Sequence, residues 1–326
     1  MMKKALLTLM AILFTASLAS AAPVVLKIGY TTDVPNPYPQ ALVKWSKDIA
    51  EKSKGEIEIQ LFPAGQLGTQ REMNEGVILG TLDMAMTTTA VMGNFVPEYG
   101  VFDLPFIFRS PEHAYKALDL IGKEELGKKC EAKGFKILSM MENGIRQMSN
   151  NKRPVKGPED MKGLKVRVME QPVYLEMMRC VGASPTPMSF GEVYTSLEKG
   201  VIDGQENPLA TIYNQKFFEV QRYISMTGHT YSCQPMIISM KVWNKLSPAH
   251  QQLIQETVDE ALIWERDLCR KIDAELLVSL KATGKVEIEE NVDVEAFAKA
   301  MRPAWDFFAK RVSGGQDLID RIIAIE

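Results

Sequence analysis

GLKVRV at residues 163–168 and GVIDGQENP at residues 200–208 bracket the stretch from which the rest of the chain is read. Leu164, Val166 and Val168 alternate with Lys165 and Arg167, the period-2 pattern of a strand with one buried face. Arg167 stands near the C-terminal end of that strand, where open α/β sheets place their ligands. A Pro- and Gly-rich break, GASPTPM (182–188), leads to a short helix predicted over residues 191–199. Gly200 closes that helix, because glycine enters the left-handed region without steric cost. VID predicts a second strand that delivers Asp203, Gln205, Glu206 and Asn207 to a loop. Pro208 has no backbone N–H to give a ladder and ends it. Two strand ends thus offer a fixed cation and several hydrogen-bonding groups to one cleft, an arrangement suited to an anion.

At the N-terminus, MMKK, the apolar run ALLTLMAILFTASLA and Ala19-Ser20-Ala21 read as a secretory signal peptide over residues 1–21, cleaved after Ala21. The run is short for a membrane span of about 20 residues. The remainder exceeds what one hydrophobic core usually supports and predicts two lobes. A formal net charge of −3 with interspersed signs provides no basic surface and excludes a nucleic-acid partner. Cys130, Cys180, Cys233 and Cys269 form no CxxC pair, which excludes a zinc knuckle or thioredoxin-like motif. An oxidising compartment permits disulfides among them, with three pairings open.

VVLKIGY, a helix over 40–54, Glu56–Phe62, a helix over 71–79 and GTLDMAM follow a βαβαβ order, which predicts a mostly parallel sheet with crossover helices. Trp45 falls on the apolar stripe of the first helix and is expected in the core. Gly80-Thr81-Leu82-Asp83 echoes Gly200-Val201-Ile202-Asp203, a short signal of two lobes built alike. The aromatic- and proline-dense residues 95–108 predict core and inter-lobe packing. FKILSM is read as a strand ending near Glu142, and NGIRQMSN as bringing Arg146 to a strand end. LATIYNQKFFEVQRY reads as helical, with a strand near Met236–Met240. Ser247-Pro248 supplies an N-cap and a first-turn proline. Apolar residues then recur from Leu253 to Leu280 until Gly284, predicting one helix over 248–282 of roughly 50 Å. KVEI is a last short strand.

There is no GxSxG, HExxH, P-loop or GxGxxG, and His113, His229 and His250 are placed beside no nucleophile. Asp203 and Glu206 are the nearest thing to an acid–base pair. The reading is a binder without cofactor or metal, not an enzyme.

GLKVRV, GASPTPMSFGEVYTSLEKG and VIDGQENP, in that order and spacing, resemble the solute-binding proteins of TRAP (tripartite ATP-independent periplasmic) transporters, akin to the dicarboxylate and sialic-acid binders. The resemblance covers essentially the whole mature chain. It implies an α/β, two-lobe periplasmic binding protein fold with a central cleft, crossed by a long helix. Lobe I would comprise 22–144 plus 233–271, and lobe II 145–232 plus 272–326. It implies a monomer in the periplasm that delivers a small organic acid to two membrane subunits, one small with four helices and one large. A sensory ligand-binding module is the alternative of another class. In the family, the arginine matching Arg167 forms a salt bridge to the solute carboxylate, and an arginine matching Arg146 contacts solute. Matching outward adds Thr31, Arg71, Thr88, Glu170, Phe190 and Asn207. Phe190 would lay its ring on the apolar face of the solute, and Asn207 would bond a hydroxyl or the carboxylate. Sialic-acid binders carry a carboxylate where this chain has Thr88, and an amide where it has Glu170. The metal-dependent 2-oxo acid branch has Glu-Trp where this chain has Glu206-Asn207. A uronate or other hydroxylated sugar acid fits best, since Glu170 accepts from hydroxyls. An aromatic or a 2-hydroxy or 2-oxo acid stays open.

Overall fold

The computed structural model describes residues 22–326; the expected signal segment 1–21 lies outside them. Nine strands form one sheet: β1 (Val24–Gly29), β2 (Ile57–Phe62), β3 (Met84–Met86), β4 (Phe135–Asn150), β5 (Lys165–Val168), β6 (Ser184–Pro187), β7 (Gly204–Pro208), β8 (Tyr223–Ser239) and β9 (Glu287–Glu289). Their order is β2-β1-β3-β8-β4-β7-β5-β6, with β9 added beside β8. The flanks are parallel, as the βαβαβ order implies, but β3–β8, β8–β4 and β4–β7 are antiparallel. The expectation of a mostly parallel sheet therefore holds only within each half. The centre is antiparallel because two long strands, β4 and β8, run in opposite directions through both halves.

β4 corrects a second expectation. Residues 135–150 make one strand, not two, so Arg146 lies within it and not at an end. Register shifts against β8 occur at Ile137/Ser139, Glu142/Gly144 and Arg146/Met148. Gly144, at φ +116°, takes the backbone turn that one of these bulges needs. β8 likewise starts at Tyr223, well before the expected strand, while the helix after Pro208 is only Leu209–Asn214. β6 falls inside the stretch read as a break. Pro185 and Pro187 are tolerated there because β6 is an edge strand and no outer ladder needs their N–H groups.

The two halves repeat one plan. β2-β1-β3 and β6-β5-β7 have the same local order, and Gly80 and Gly200 end the helices before β3 and β7 with φ near +77° and +67°. Asp83 Oδ2 accepts from Lys27 N–H at 2.9 Å, and Asp203 Oδ2 from Lys165 N–H at 2.9 Å. The echo read in the sequence is thus a shared junction, in which an aspartate ties its own strand to the neighbouring one.

Each half has apolar packing on both sheet faces. Trp45 is fully buried between β1 and the long helix, its Nε1 donating to Thr257 Oγ1 at 3.0 Å. Tyr99, Phe102 and Ile107 enter the core on the opposite face, while Phe106 packs with Val166 and Met177 of the other half. The long helix is Pro248–Ala282, and Ser247 Oγ accepts from His250 N–H at its start. Ile254, Val258 and Ala261 pack with Trp45, whereas Leu276 and Leu280 pack with Ile202 and Phe217. The helix therefore spans both halves. Its stripe is not continuously apolar as expected: Glu265 is buried at the crossing, where it accepts from Glu142 N–H at 3.0 Å. The C-terminal tail also divides. Phe297 and Met301 pack with Val166, but Trp305, Phe308 and Ile319 return to Phe102 and Phe135.

Candidate ligand-binding site

Between the halves lies a cleft of about 330 Å³, at the lower end of the range for small-molecule sites, roughly 300–1,000 Å³. Thr31, Arg71, Thr88, Arg146, Arg167, Glu170, Phe190 and Asn207 all line it. The eight residues singled out in the sequence are therefore brought together.

β5 and β7 are hydrogen-bonded neighbours with Arg167 opposite Gln205, so Arg167 and Asn207 sit on adjacent strands. Asn207, Glu206 and Gln205 lie on β7 itself, which begins at Gly204, and not in a loop as expected. Asp203 precedes the strand and is held by Lys165 N–H, with Lys152 Nζ at 3.3 Å. It therefore forms no acid–base pair with Glu206.

Arg167 is 3% exposed. Its Nε and Nη2 donate to one acceptor, the Met188 carbonyl, at 3.1 and 2.9 Å. Among the described residues no carboxylate lies within salt-bridge distance of it, and its Nη1 has no protein acceptor. Burial pushes its pKa down to about 10, against the pull of the Glu206 charge. A guanidinium is costly to bury unpaired, so this one is poised for an anion from outside.

Arg146 is arranged differently. Glu206 accepts from its Nε and Nη2, the latter at 2.9 Å, and the Glu206 carbonyl also accepts from Nη2. Ser232 Oγ is 3.4 Å from Nη1. Burial pushes the Glu206 carboxyl up, but Arg146 and His229 outweigh it and hold the pKa below the usual carboxylate value. His229 Nε2 is 3.4 Å from Glu206 Oε2, and its Nδ1 is 2.8 Å from Thr227 Oγ1. The ion pair is buried, not a surface bridge, and it fixes the orientation of Arg146 beside the cleft.

The opposite wall is built on Gln70. Its Oε1 accepts from Thr88 N–H and Oγ1 at 3.1 and 3.0 Å, and its Nε2 donates to Thr31 Oγ1 at 3.2 Å. Arg71 is exposed and engages Glu75 on its own helix at 3.1 Å. The Phe190 ring packs on Phe217 at 6.0 Å, with one face left to the cleft lining. Glu170 is exposed at the rim. Two capping boxes also reach the lining, Thr69–Glu72 and Ser189–Glu192, one from each half.

Sequence reading missed Gln70, Asn143 and Gln234. Asn143 lies in the β4 bulge, where pairing shifts between Glu142 and Gly144. Gln234 is 3% exposed and lines the cleft, and its enclosed Oε1 has no protein partner. No local pattern marks either, since each depends on how β4 and β8 register. All four cysteines are free thiols. Among the described residues, no three His, Cys, Asp or Glu side chains converge as a metal-holding group.

The model of the bacterial extracellular solute-binding proteins, family 7, matches residues 28–311. The 2,3-diketo-L-gulonate-binding periplasmic protein of Escherichia coli K12 is 36% identical over 313 residues, 96% of this chain and 94% of its own. A TRAP periplasmic solute-binding protein from Polaromonas sp. JS666, solved with D-erythronate, is 40% identical with a TM-score of 0.89, covering 93% of this chain and 99% of that one. Another, from Sulfurospirillum deleyianum with bound succinate, is 32% identical with a TM-score of 0.89, covering 94% and 100%.

Proposed function

The chain belongs to family 7 of the bacterial extracellular solute-binding proteins, among the TRAP periplasmic binders, and on that premise we propose that it captures a hydroxylated sugar acid, such as a uronate, in its cleft. The observation that carries this reading is Arg167, a buried guanidinium without a carboxylate partner among the described residues. A solute carboxylate supplies the missing charge, and a planar guanidinium recognises it with two parallel donors. Asn207 adds a hydrogen-bonding group beside it. Thr31, Thr88 and Glu170 meet hydroxyls, and the Phe190 ring covers the apolar face. The relatives with D-erythronate and 2,3-diketo-L-gulonate support a sugar acid, since both ligands join a carboxylate to hydroxyl or keto oxygens.

The family is one of transport-associated binding proteins. In our reading the chain is exported by a signal peptide cleaved after Ala21 and works in the periplasm as a monomer. It hands its solute to a small four-helix membrane subunit and a large transporter subunit. Its lobes are 22–144 plus 233–271 and 145–232 plus 272–326, with the last helices reaching back to the first. A thermal-shift panel of organic acids tests the reading. A ligand bound only by the native state at a hundred times its Kd adds about 2.7 kcal/mol. The expected result is a rise in Tm for hydroxylated acids in wild type and none in Arg167→Ala. An unresponsive wild type, or an equal response in the variant, overturns it.

A further inference from the structure

The buried and exposed parts of the cleft lining carry opposite charge. Inside, Arg146 is neutralised by Glu206, and Arg167 is left for the ligand. At the rim stand three exposed carboxylates, Glu72, Glu170 and Glu192. Glu72 and Glu192 use Oε2 to close their capping boxes on Thr69 and Ser189. Among the described residues their Oε1 atoms, and both side-chain oxygens of Glu170, make no protein hydrogen bond. The rim cation Arg71 is engaged by Glu75. Gln234 independently points to a polar occupant, because its buried Oε1 is unsatisfied until something in the cleft meets it.

Resting on the sugar-acid reading above, we infer that the cleft selects monocarboxylates with a hydroxylated far end and rejects diacids of the same skeleton. Glu72, Glu170 and Glu192 impose the exclusion. Once Arg167 holds one carboxylate, the rest of the ligand extends toward three acceptors that carry negative charge. Hydroxyls donate to carboxylate oxygens, whereas a second carboxylate has no proton to give and meets like charge. Membership of the family does not decide this, since the Sulfurospirillum relative was solved with the diacid succinate.

The experiment is calorimetry on the mature chain with matched pairs, D-glucuronate against D-glucarate and D-erythronate against meso-tartrate. The monoacid of at least one pair should bind at least tenfold more tightly than its diacid, a difference of about 1.4 kcal/mol. Raising ionic strength should narrow that ratio, because exposed charges are screened. The triple variant Glu72→Gln, Glu170→Gln, Glu192→Gln should also narrow it; glutamine keeps both capping boxes closed. Equal or tighter binding of the diacid by wild type overturns the inference and leaves the organic-acid site standing. So does an unchanged ratio in a folded triple variant. Binding of neither member of any pair removes the sugar-acid reading and this inference with it.

Discussion

Glu206 grips Arg146 at both Nε and Nη2, and Arg167, across β7, is left without a carboxylate. Two buried arginines in one cleft therefore have different tasks, and their substitutions should separate. Arg167→Ala is expected to weaken the solute by about 2–5 kcal/mol, as when one partner of a buried charged pair is removed. Arg167→Lys should also be weak, lacking the planar pair of donors. Calorimetry giving wild-type affinity in Arg167→Ala removes the anchor assignment.

Arg146→Ala leaves Glu206 buried beside only His229. Breaking such a pair costs about 3–5 kcal/mol, so this variant should lose stability even without ligand. Urea denaturation of the unliganded protein checks it. A midpoint equal to that of Arg167→Ala would mean the pair is not structural.

Gly204 begins β7 against β4. A Cβ there would stand 2.2 Å from Ser149 O and 2.8 Å from Asn150 Cβ, too close for any side chain. Gly204→Ala should therefore force β7 off β4, at a cost typical of overpacking, about 1–3 kcal/mol. Since Asn207 rides on the same short strand, affinity should fall as well. Denaturation and calorimetry on the variant should both move; if only stability falls, β7 keeps its register near Asn207.

Where the long helix crosses β4, burial and the nearby Glu142 charge push the Glu265 pKa up to about 8. Burial and Asp273 push Glu142 up to about 7, against the hydrogen bond from Tyr115. Both ordinarily titrate near 4.5. The native state thus holds more protons than the unfolded chain between the two values, so stability must fall as pH rises across that window. Tm should decline from pH 5 to pH 8, and more gently in Glu265→Gln. An identical slope in the variant would exclude this cluster as its source.

The lining comes from both halves, so contacts with Arg167 and Asn207 on one side and Thr31 and Thr88 on the other form together only if the halves approach. A ligand shifts such an equilibrium by its differential affinity for the two arrangements. The radius of gyration in solution scattering should fall on saturation with a bound acid and stay constant with an acid that does not bind. No change at saturation would rule out closure.

How far the chain could be read differs by element, for physical reasons. The long helix was legible to its ends because Ser247-Pro248 and Gly284 mark them chemically. The eight lining residues were legible through the resemblance, and the aspartate junctions through a four-residue echo. β6 was not, because prolines argue against a strand until its place at the sheet edge is known. β4 was read as two strands because Gly144 interrupts the local pattern while continuing the backbone as a bulge. Glu265 was invisible because periodicity counts apolar residues, and a buried acid answers to a strand 123 positions away. The partner of Arg146 was hidden likewise, 60 positions along the chain.

The matched bonds of Asp83 and Asp203 have a consequence for how such a protein changes its diet. Each half secures its own framework with its own aspartate, so neither relies on the other for the geometry of its wall. The half built on β5, β6 and β7 keeps the acid anchor constant. The facing half, through Thr31, Gln70 and Thr88, is then at liberty to be rewritten. New solutes are acquired by redrafting one page of a facing pair, while the opposite page still reads the carboxylate.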